Sequence, residues 1–555
     1  MIKLSNFPFK TQKTVPNGSD NKSTWILLQA GFIRQTMAWV YTYTTLGLKV
    51  LRKIENIVRE EMDNYGVAET LMPALSPKEL WDKTGRWDSI DVFFHVPAAN
   101  NKEYGLNSTH EEIVTPLVWE FIQSYKDLPT SVYQIQNKFR NEKRAKSWIL
   151  RWREFLMKDA YSFHLSNEDF EKYYEWMKEV YLNIFKRIGL WEDTIIALAD
   201  WWTFTEKFSH EFQVKIDIWE DVIYKDNKTW ICYNQEITPV KVGKENVADS
   251  ELLEKKDIKH SSDIIWVEAL EKFLWVPKEK TTKTLFFETA EGKFIVASVR
   301  WDYEINTLKL QKILWTTSLV FASEEKVKEI TGAEIGYAWI INLPENVDIY
   351  LDDSIEWLTN FETWTNKTGF HTININFWKD LELPQKFYDF KDAKIWDKNP
   401  ETWEIYEVFK ASEIWNIFPL ETKFTKAFGV QYLGEDNKMQ TPLMGCYGIW
   451  VSRAMWLVAE KYATEKGIKW PENIAPVKYY IAVIWEENIE KAYELIEKLK
   501  LDKSEIILDD RMWRKIGFGQ KMWDAELLWI PNVIVISKKT LEQDSYELNW
   551  ELIKF

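Results

Sequence analysis

Over residues 48–64, LKVLRKIENIVREEMDN, apolar side chains recur every three to four positions with charges opposite, which predicts an amphipathic helix. The run 66–73, GVAETLMP, predicts a strand ending at Pro73. Residues 131–140, SVYQIQNKFR, and 149–156 predict two antiparallel strands joined by the basic loop NEKRAKSW. Helical spacing returns over 166–189. From about 226 to about 390 the chain turns lysine-rich and strand-containing, with a small apolar set of its own. Residues 427–451 have strand character and run into a helix from about 452. Beyond Pro471 and Pro476 the strands KYYIAVIW, EIILDD and NVIVIS alternate with helical stretches, which predicts a small α/β module. The segments expected are 1–225, 226–390, 391–468 and 469–555, since 555 residues exceed what one core holds.

Composition changes this picture in few respects. The formal charge of −15 argues against a general nucleic-acid binder, though RNA binding needs only a local basic face. Cys232 and Cys446 are too few for a disulfide framework or a cysteine-built zinc site, and no metal-ligating set is assigned. No run of 18 apolar residues predicts a transmembrane helix, and the first residues lack an apolar signal core, so a cytoplasmic location is expected.

One feature is abnormal. The chain has 32 Trp and 19 Gly, where ordinary glycine usage near 7% would give about twice as many glycines. Several Trp sit in polar turn contexts, as in Asn227-Lys228-Thr229-Trp230, Pro400-Glu401-Thr402-Trp403 and Leu548-Asn549-Trp550-Glu551. Such turns call for a residue at positive φ, normally glycine. A genome that reads UGA as glycine, translated as though UGA meant tryptophan, produces this pattern. The alternative is a truly tryptophan-rich protein.

Candidate chemistry concentrates in the predicted hairpin. Phe139-Arg140-Asn141-Glu142 precedes the loop, and Arg151-Trp152-Arg153-Glu154-Phe155 follows it. Arg140 and Arg151 can grip phosphates, Glu142 can accept from an adenine amino group, and Phe155 offers a stacking face. A charged hairpin around a core Phe fits the same residues. The run Asn107-Ser108-Thr109-His110-Glu111-Glu112 reads by its residues as a helix N-cap; that Thr109 and Glu111 hold a cationic amine is what a family resemblance implies.

Taken together these runs resemble the class II aminoacyl-tRNA synthetases, in their bacterial prolyl form. The hairpin resembles motif 2, with REFLMKDAYSFH in its prolyl version. Pro73 resembles the motif 1 proline near the dimer interface. Gly445-Cys446-Tyr447-Gly448-Ile449-Trp450-Val451-Ser452-Arg453 resembles motif 3, in which Trp450 stands where the family has glycine. Trp39, Trp148, Trp152, Trp201, Trp202, Trp415 and Trp529 stand at further family glycine positions, whereas Trp81 and Trp87 match family tryptophans.

The resemblance implies an α+β catalytic core on an antiparallel sheet, an inserted α/β editing domain and a C-terminal α/β anticodon-binding domain. It implies a proline–tRNA ligase using ATP and Mg²⁺, with tRNA(Pro) and proline as partners, acting as a homodimer without a membrane. By the same resemblance Arg140 and Arg453 serve catalysis. Glu142, Arg151, Phe155, Gly448 and position 450 surround ATP, and Thr109, Glu111, His210 and Cys446 shape the proline site. Cys446 reads as a packing residue and not a nucleophile.

A proline pocket rejects smaller alanine poorly, so a second, hydrolytic site is useful. Residues of about 262–385 resemble the editing insertion, which implies Lys283, Asp352 and His371 as editing residues; a solvated surface lysine is the plain alternative for Lys283. Trp339 departs from the family loop there. Residues 470–555 resemble the anticodon-binding domain, with Arg511, Arg514 and Lys521 as RNA contacts or, alternatively, an ordinary solvated turn. Were Trp152 and Trp450 native, a catalytically inactive tRNA-binding paralogue would fit better.

Overall fold

The computed structural model describes residues 1–14, 21–142, 152–199, 209–217, 221–243, 249, 251–259, 267–316, 318–367, 369–511 and 516–555. They fall into two compact units, 1–195 with 211–220 and 410–555, and 196–210 with 221–409. The 226–390 segment thus lies within the second unit, which extends to Phe409.

In the first unit the helix Thr45–Asn64 forms as its periodicity predicts. It buries Leu46, Val50, Leu51, Ile54, Ile57, Val58 and Met62 on one side and packs on the helix Asn167–Ile188. That second helix starts at a Ser166 cap, whose side chain accepts from the Asp169 amide, and ends at Gly189 in left-handed backbone. Arg187 of the same helix donates to Glu61 over 2.8 Å, tying the pair at the rim.

Within a nine-stranded sheet of the described residues the strands Ala68–Glu69, Thr130–Phe139, Glu154–His164, Leu443–Ile449 and Glu407–Glu421 follow in that order, and Ser209–Lys215 also pairs with Glu407–Glu421. The four strands from Thr130–Phe139 to Glu407–Glu421 are antiparallel, with Phe139 opposite Glu154, Cys446 opposite Tyr161 and Phe418 opposite Cys446. The predicted 66–73 strand is shorter than expected. Only Ala68–Glu69 pair, in parallel with Val132–Tyr133, because Thr70 turns to donate both its amide and its hydroxyl to the Tyr133 carbonyl.

The C-terminal module is a second sheet ordered Ile2–Lys3, Ile506–Asp509, Tyr479–Val483, Asn532–Ile536, Ser545–Leu548, Glu551–Lys554. The first four strands are parallel and the last two close it as a hairpin. The helix Ile489–Lys498 covers one face through Ala492, Leu495 and Ile496.

The second unit is built on the sheet Leu319–Phe321, Thr282–Thr289, Phe294–Arg300, Asp348–Leu351. The strand Phe294–Arg300 is buried along its whole length, as expected of a strand with cover on both faces. A three-stranded sheet, Lys256–Lys259, Phe370–Ile375, Phe361–Trp364, shares a core with it around Phe361, Trp339 and Val296.

Among the described residues nine tryptophans occupy left-handed backbone: Trp39, Trp230, Trp275, Trp315, Trp378, Trp403, Trp485, Trp529 and Trp550. Their roles are those glycine fills elsewhere in the chain. Trp315 and Trp529 end helices at φ 55° and 47°, as Gly85, Gly189 and Gly332 end theirs. Asn549 (φ 49°) and Trp550 (φ 74°) form the two-residue turn between Ser545–Leu548 and Glu551–Lys554. Two positive-φ residues joining a hairpin make the turn that prefers Asn-Gly.

Candidate active site

Two neighbouring antiparallel strands and one helix start bring the predicted ATP residues together. Arg140 follows the strand Thr130–Phe139, and its amide bonds to the Arg153 carbonyl at 3.0 Å, closing the base of the hairpin. Phe155 is buried on the facing strand. Arg453 sits in the first turn of the helix Val451–Lys461 and is buried to 3% exposure. Its Nη1 donates to the Glu413 carbonyl at 2.7 Å and lies 3.7 Å from the Glu413 carboxylate.

Both arginines meet at one ring. The Arg453 guanidinium lies 4.1 Å and that of Arg140 4.7 Å from the centroid of the Trp450 indole. The indole in turn stacks on Phe155 at 4.2 Å, with the planes 8° apart. Burial pulls the Arg140 pKa below its usual value, against the opposing pull of Glu413 and Glu142. Two cations held side by side over an aromatic slot form an anion site, and carboxylates nearby temper it. Glu142 remains half-buried beside Arg140. Gly448 lies under the slot on the central strand, where a Cβ would run into the Met157 methyl. Arg151 lies outside the described residues, as do Trp148, Trp201 and Trp202.

The proposed amine site is adjacent in sequence and tightly built. Glu111 opens the helix Glu111–Trp119 and is fully buried. Its carboxylate accepts from the Thr109 hydroxyl, from Cys446 Sγ at 3.4 Å and from Arg86 Nη1 at 3.4 Å. The N-cap alternative does not hold: His110 occupies the cap position and makes no side-chain capping bond. Burial and the Glu111 charge push the Cys446 thiol well above its usual pKa, so it stays a neutral donor and no nucleophile.

Beneath this loop the His110 amide donates to the Tyr161 hydroxyl at 3.1 Å, and that hydroxyl donates to Asp159 at 2.9 Å. Asp159 pairs with fully buried Lys138 at 2.6 Å. These groups fix Thr109 and Glu111 from below. Burial pulls Lys158, next along the strand, down to about 7. His210 is the second residue of the strand Ser209–Lys215 and is half-buried. Glu211 beside it accepts from Asn416 at 3.2 Å.

Sequence reasoning missed Glu413, Arg86 and Lys138. Glu413 belongs to no motif read from the sequence; only the strand beside motif 3 places it against both arginines. Among the described residues no group of three or more His, Cys, Asp or Glu could cage a metal ion. A cation brought in on phosphate oxygens needs no cage, and Glu413 and Glu142 are carboxylates fit to complete its shell.

In the second unit Lys283 sits opposite Val299, and Ser298 opposite Leu351, so Lys283 and Asp352 lie at the same level of the sheet. Lys283 pairs with Glu304 at 2.7 Å. Asp352 is fully buried and accepts from the Ser354 and Phe390 amides at 2.8 Å each, which makes it a loop anchor first. His371, also buried, bonds Glu362 at 2.5 Å.

The C-terminal expectations need correction. Lys521 is 1% exposed, and its Nζ donates to the Val483 and Asp509 carbonyls at 2.7 and 2.9 Å, so it braces the module and cannot reach RNA. Arg511 is engaged by Asp509 and Asp524, with 2.6 Å contacts to both carboxylates. Arg514 lies outside the described residues.

The model of the tRNA synthetase class II core domain (G, H, P, S and T) matches residues 94–462. The chain is 36% identical over 540 residues to a proline–tRNA ligase of Listeria monocytogenes serotype 4b, covering 96% of this chain and 93% of that protein. It is 37% identical over 546 residues to the proline–tRNA ligase of Caldicellulosiruptor bescii, covering 98% and 93%. In fold it is similar to the Cryptosporidium parvum prolyl-tRNA synthetase solved with halofuginone and AMPPNP, at TM-score 0.52 and 11% identity, covering 96% of this chain and 73% of that one. The Giardia lamblia enzyme solved with prolyl-adenylate gives 0.52 at 13% identity, over 94% and 71%. With relatives more than a third identical across nearly its whole length, the chain belongs to the proline–tRNA ligase family of class II aminoacyl-tRNA synthetases.

Proposed function

We propose that this chain activates proline with ATP and transfers it to tRNA(Pro). The observation that carries the reading is the convergence of Arg140 and Arg453 over one aromatic slot, with the Thr109–Glu111 loop held to the neighbouring strand by the bond from the His110 amide to Tyr161. Proline's carboxylate is ionised at neutral pH, so its oxygen attacks the α-phosphorus without a general base. The bond from α-phosphorus to the bridging oxygen breaks, and pyrophosphate leaves with the electron pair. Arg140 gathers charge on the α-phosphate and Arg453 on the γ-phosphate; catalysis here is positioning and charge neutralisation. Glu111 and Thr109 receive the secondary ammonium. A terminal ribose hydroxyl of the tRNA then attacks the prolyl carbonyl, and AMP departs.

Mg²⁺ carried by the triphosphate, with Glu413 and Glu142 beside it, would supply further charge neutralisation. The reading extends to hydrolytic editing of alanyl-tRNA(Pro) at the Lys283 level of the second unit, to a homodimer through the Pro73 region, and to action in the cytoplasm. No helix among the described residues is long and apolar enough to cross a membrane. Proline-dependent ATP–pyrophosphate exchange, in a chain with glycine at the suspect tryptophans, tests activation. Exchange with another amino acid, or with none, overturns it. Alanyl-tRNA(Pro) hydrolysis that survives Lys283→Ala removes the editing assignment.

A second reading is a tRNA-binding paralogue that no longer activates an amino acid. The Trp450 indole stacked in the nucleotide slot favours it for the chain exactly as long as that indole is native. Tight tRNA binding without exchange in the protein isolated from its source would mark that case.

A further inference from the structure

We infer that residue 450 decides whether this protein binds ATP: the tryptophan there plugs the adenine slot, and the working polypeptide has glycine at this position. The inference rests on the ATP reading above.

The plug is a matter of geometry. The Trp450 indole is a flat bicyclic aromatic of nearly purine size. It lies parallel to Phe155, 4.2 Å away, with the Arg453 guanidinium 4.1 Å from its centroid and Arg140 at 4.7 Å. Stacking on an aromatic ring under a guanidinium is how proteins hold a base, so the indole makes the contacts that an adenine would make. It is 7% exposed and does not lie loosely over the opening. A base and an indole cannot share Phe155. Without a side chain at 450, the same Phe155 face and the same arginines are left open.

Two further observations, independent of any nucleotide, single out tryptophans as foreign to this fold. The first is the nine indoles in left-handed backbone, of which Trp275, Trp315 and Trp378 are 90%, 76% and 80% exposed and so bury little in return. The second is hydrogen bonding. Trp81 is fully buried and its Nε1 donates to Ser76 Oγ at 2.7 Å. Trp152, Trp339, Trp415 and Trp470 are also buried, at 4% exposure or less, yet their Nε1 atoms find no acceptor among the described residues. Buried indole N–H groups ordinarily find one. Glycine at these places removes both the backbone strain and the orphaned donors, as it opens the slot at 450. Trp81 behaves as a native tryptophan does.

Two measurements test this. Peptide mass spectrometry of the protein purified from its source organism reads residue 450 directly, together with 529 and 550. Glycine at all three is the expected result, and tryptophan at 450 overturns the inference. Separately, binding of a non-hydrolysable ATP analogue is compared between the recombinant chain as written and Trp450→Gly, with Trp450→Phe as a variant that keeps an aromatic plug. Trp450→Gly is expected to bind about 10- to 100-fold more tightly than the other two, as regaining one base–aromatic stack allows. Equal affinity in all three overturns the plug. Should Trp450→Gly misfold, the same comparison is made in a chain that has glycine at the nine left-handed sites and differs only at 450. If mass spectrometry finds glycine while the folded glycine variant binds no nucleotide, the ATP reading falls and the identity of residue 450 stands.

Discussion

Glu111 shows how one side chain is prepared for its work before any ligand arrives. It is buried, and three donors of graded strength face it: a guanidinium, a hydroxyl and a thiol. On the proposal that a secondary ammonium joins that set, Glu111→Gln should raise the KM for proline about 10-fold or more and leave the KM for ATP near its starting value. Steady-state exchange kinetics read the two apart. Arg140→Ala should instead lower kcat for exchange about 100- to 1,000-fold, as for removing one donor to a developing anion. Lys158 offers a pH test. Its pKa falls to about 7 in the fold, from an ordinary value of 10.5. Below pH 7 it is protonated in both states, and the cost of burying the charge is felt in full. As pH rises from 7 towards 10.5 the folded state sheds its proton first, and stability is regained. Lys158→Met should therefore stabilise most at acid pH, with an advantage that shrinks between pH 7 and 10 in denaturant melts. A constant advantage would show that Lys158 is not buried as a base.

Elements repeat the lesson with backbone in place of side chains. The helix Thr45–Asn64 was legible because seven buried apolar residues recur at its own period, and the strands around Arg140 because they alternate. Trp550 was legible as a wrong residue in a polar turn context, and Trp529 as a departure from a family glycine position. Left-handed backbone costs an L-residue about 1–2 kcal/mol. Trp529→Gly and Trp550→Gly should each stabilise by roughly 1 kcal/mol in urea unfolding, less what glycine's freer unfolded chain takes back. Trp81→Ala should cost about 3–5 kcal/mol, since it empties a fully buried site. Other features were beyond the sequence. Lys521 and Arg511 look like a basic loop, yet the fold turns one inward and clamps the other between two carboxylates; charge along a chain does not say which way it points. Glu413 gave no signal because its partners, Arg140 and Arg453, come from distant strands and a helix.

At the scale of the molecule, the antiparallel sheet was readable as a class from its motifs, while the pairing of its edges was not. The two-residue strand Ile2–Lys3 has no periodicity to read, yet it extends the C-terminal sheet in parallel with Ile507–Leu508. Ser5 adds two bonds of 2.8 Å to the Asp510 carboxylate, and Thr11 one of 2.6 Å to Asp524. Removing residues 1–11 should uncover the edge of Ile506–Asp509 and lower the thermal midpoint of this module, visible as faster amide exchange in that strand while the exchange rate of Phe139 and Phe155 stays as it was. The same arrangement bears on how the protein is made. The paired strands Ile2–Lys3 and Ile506–Asp509 stand some five hundred residues apart in sequence, so this ladder is a long-range contact that closes late in folding. A bulky affinity tag fused directly ahead of Met1 would therefore burden the C-terminal sheet, far from it in sequence, and leave the central sheet alone.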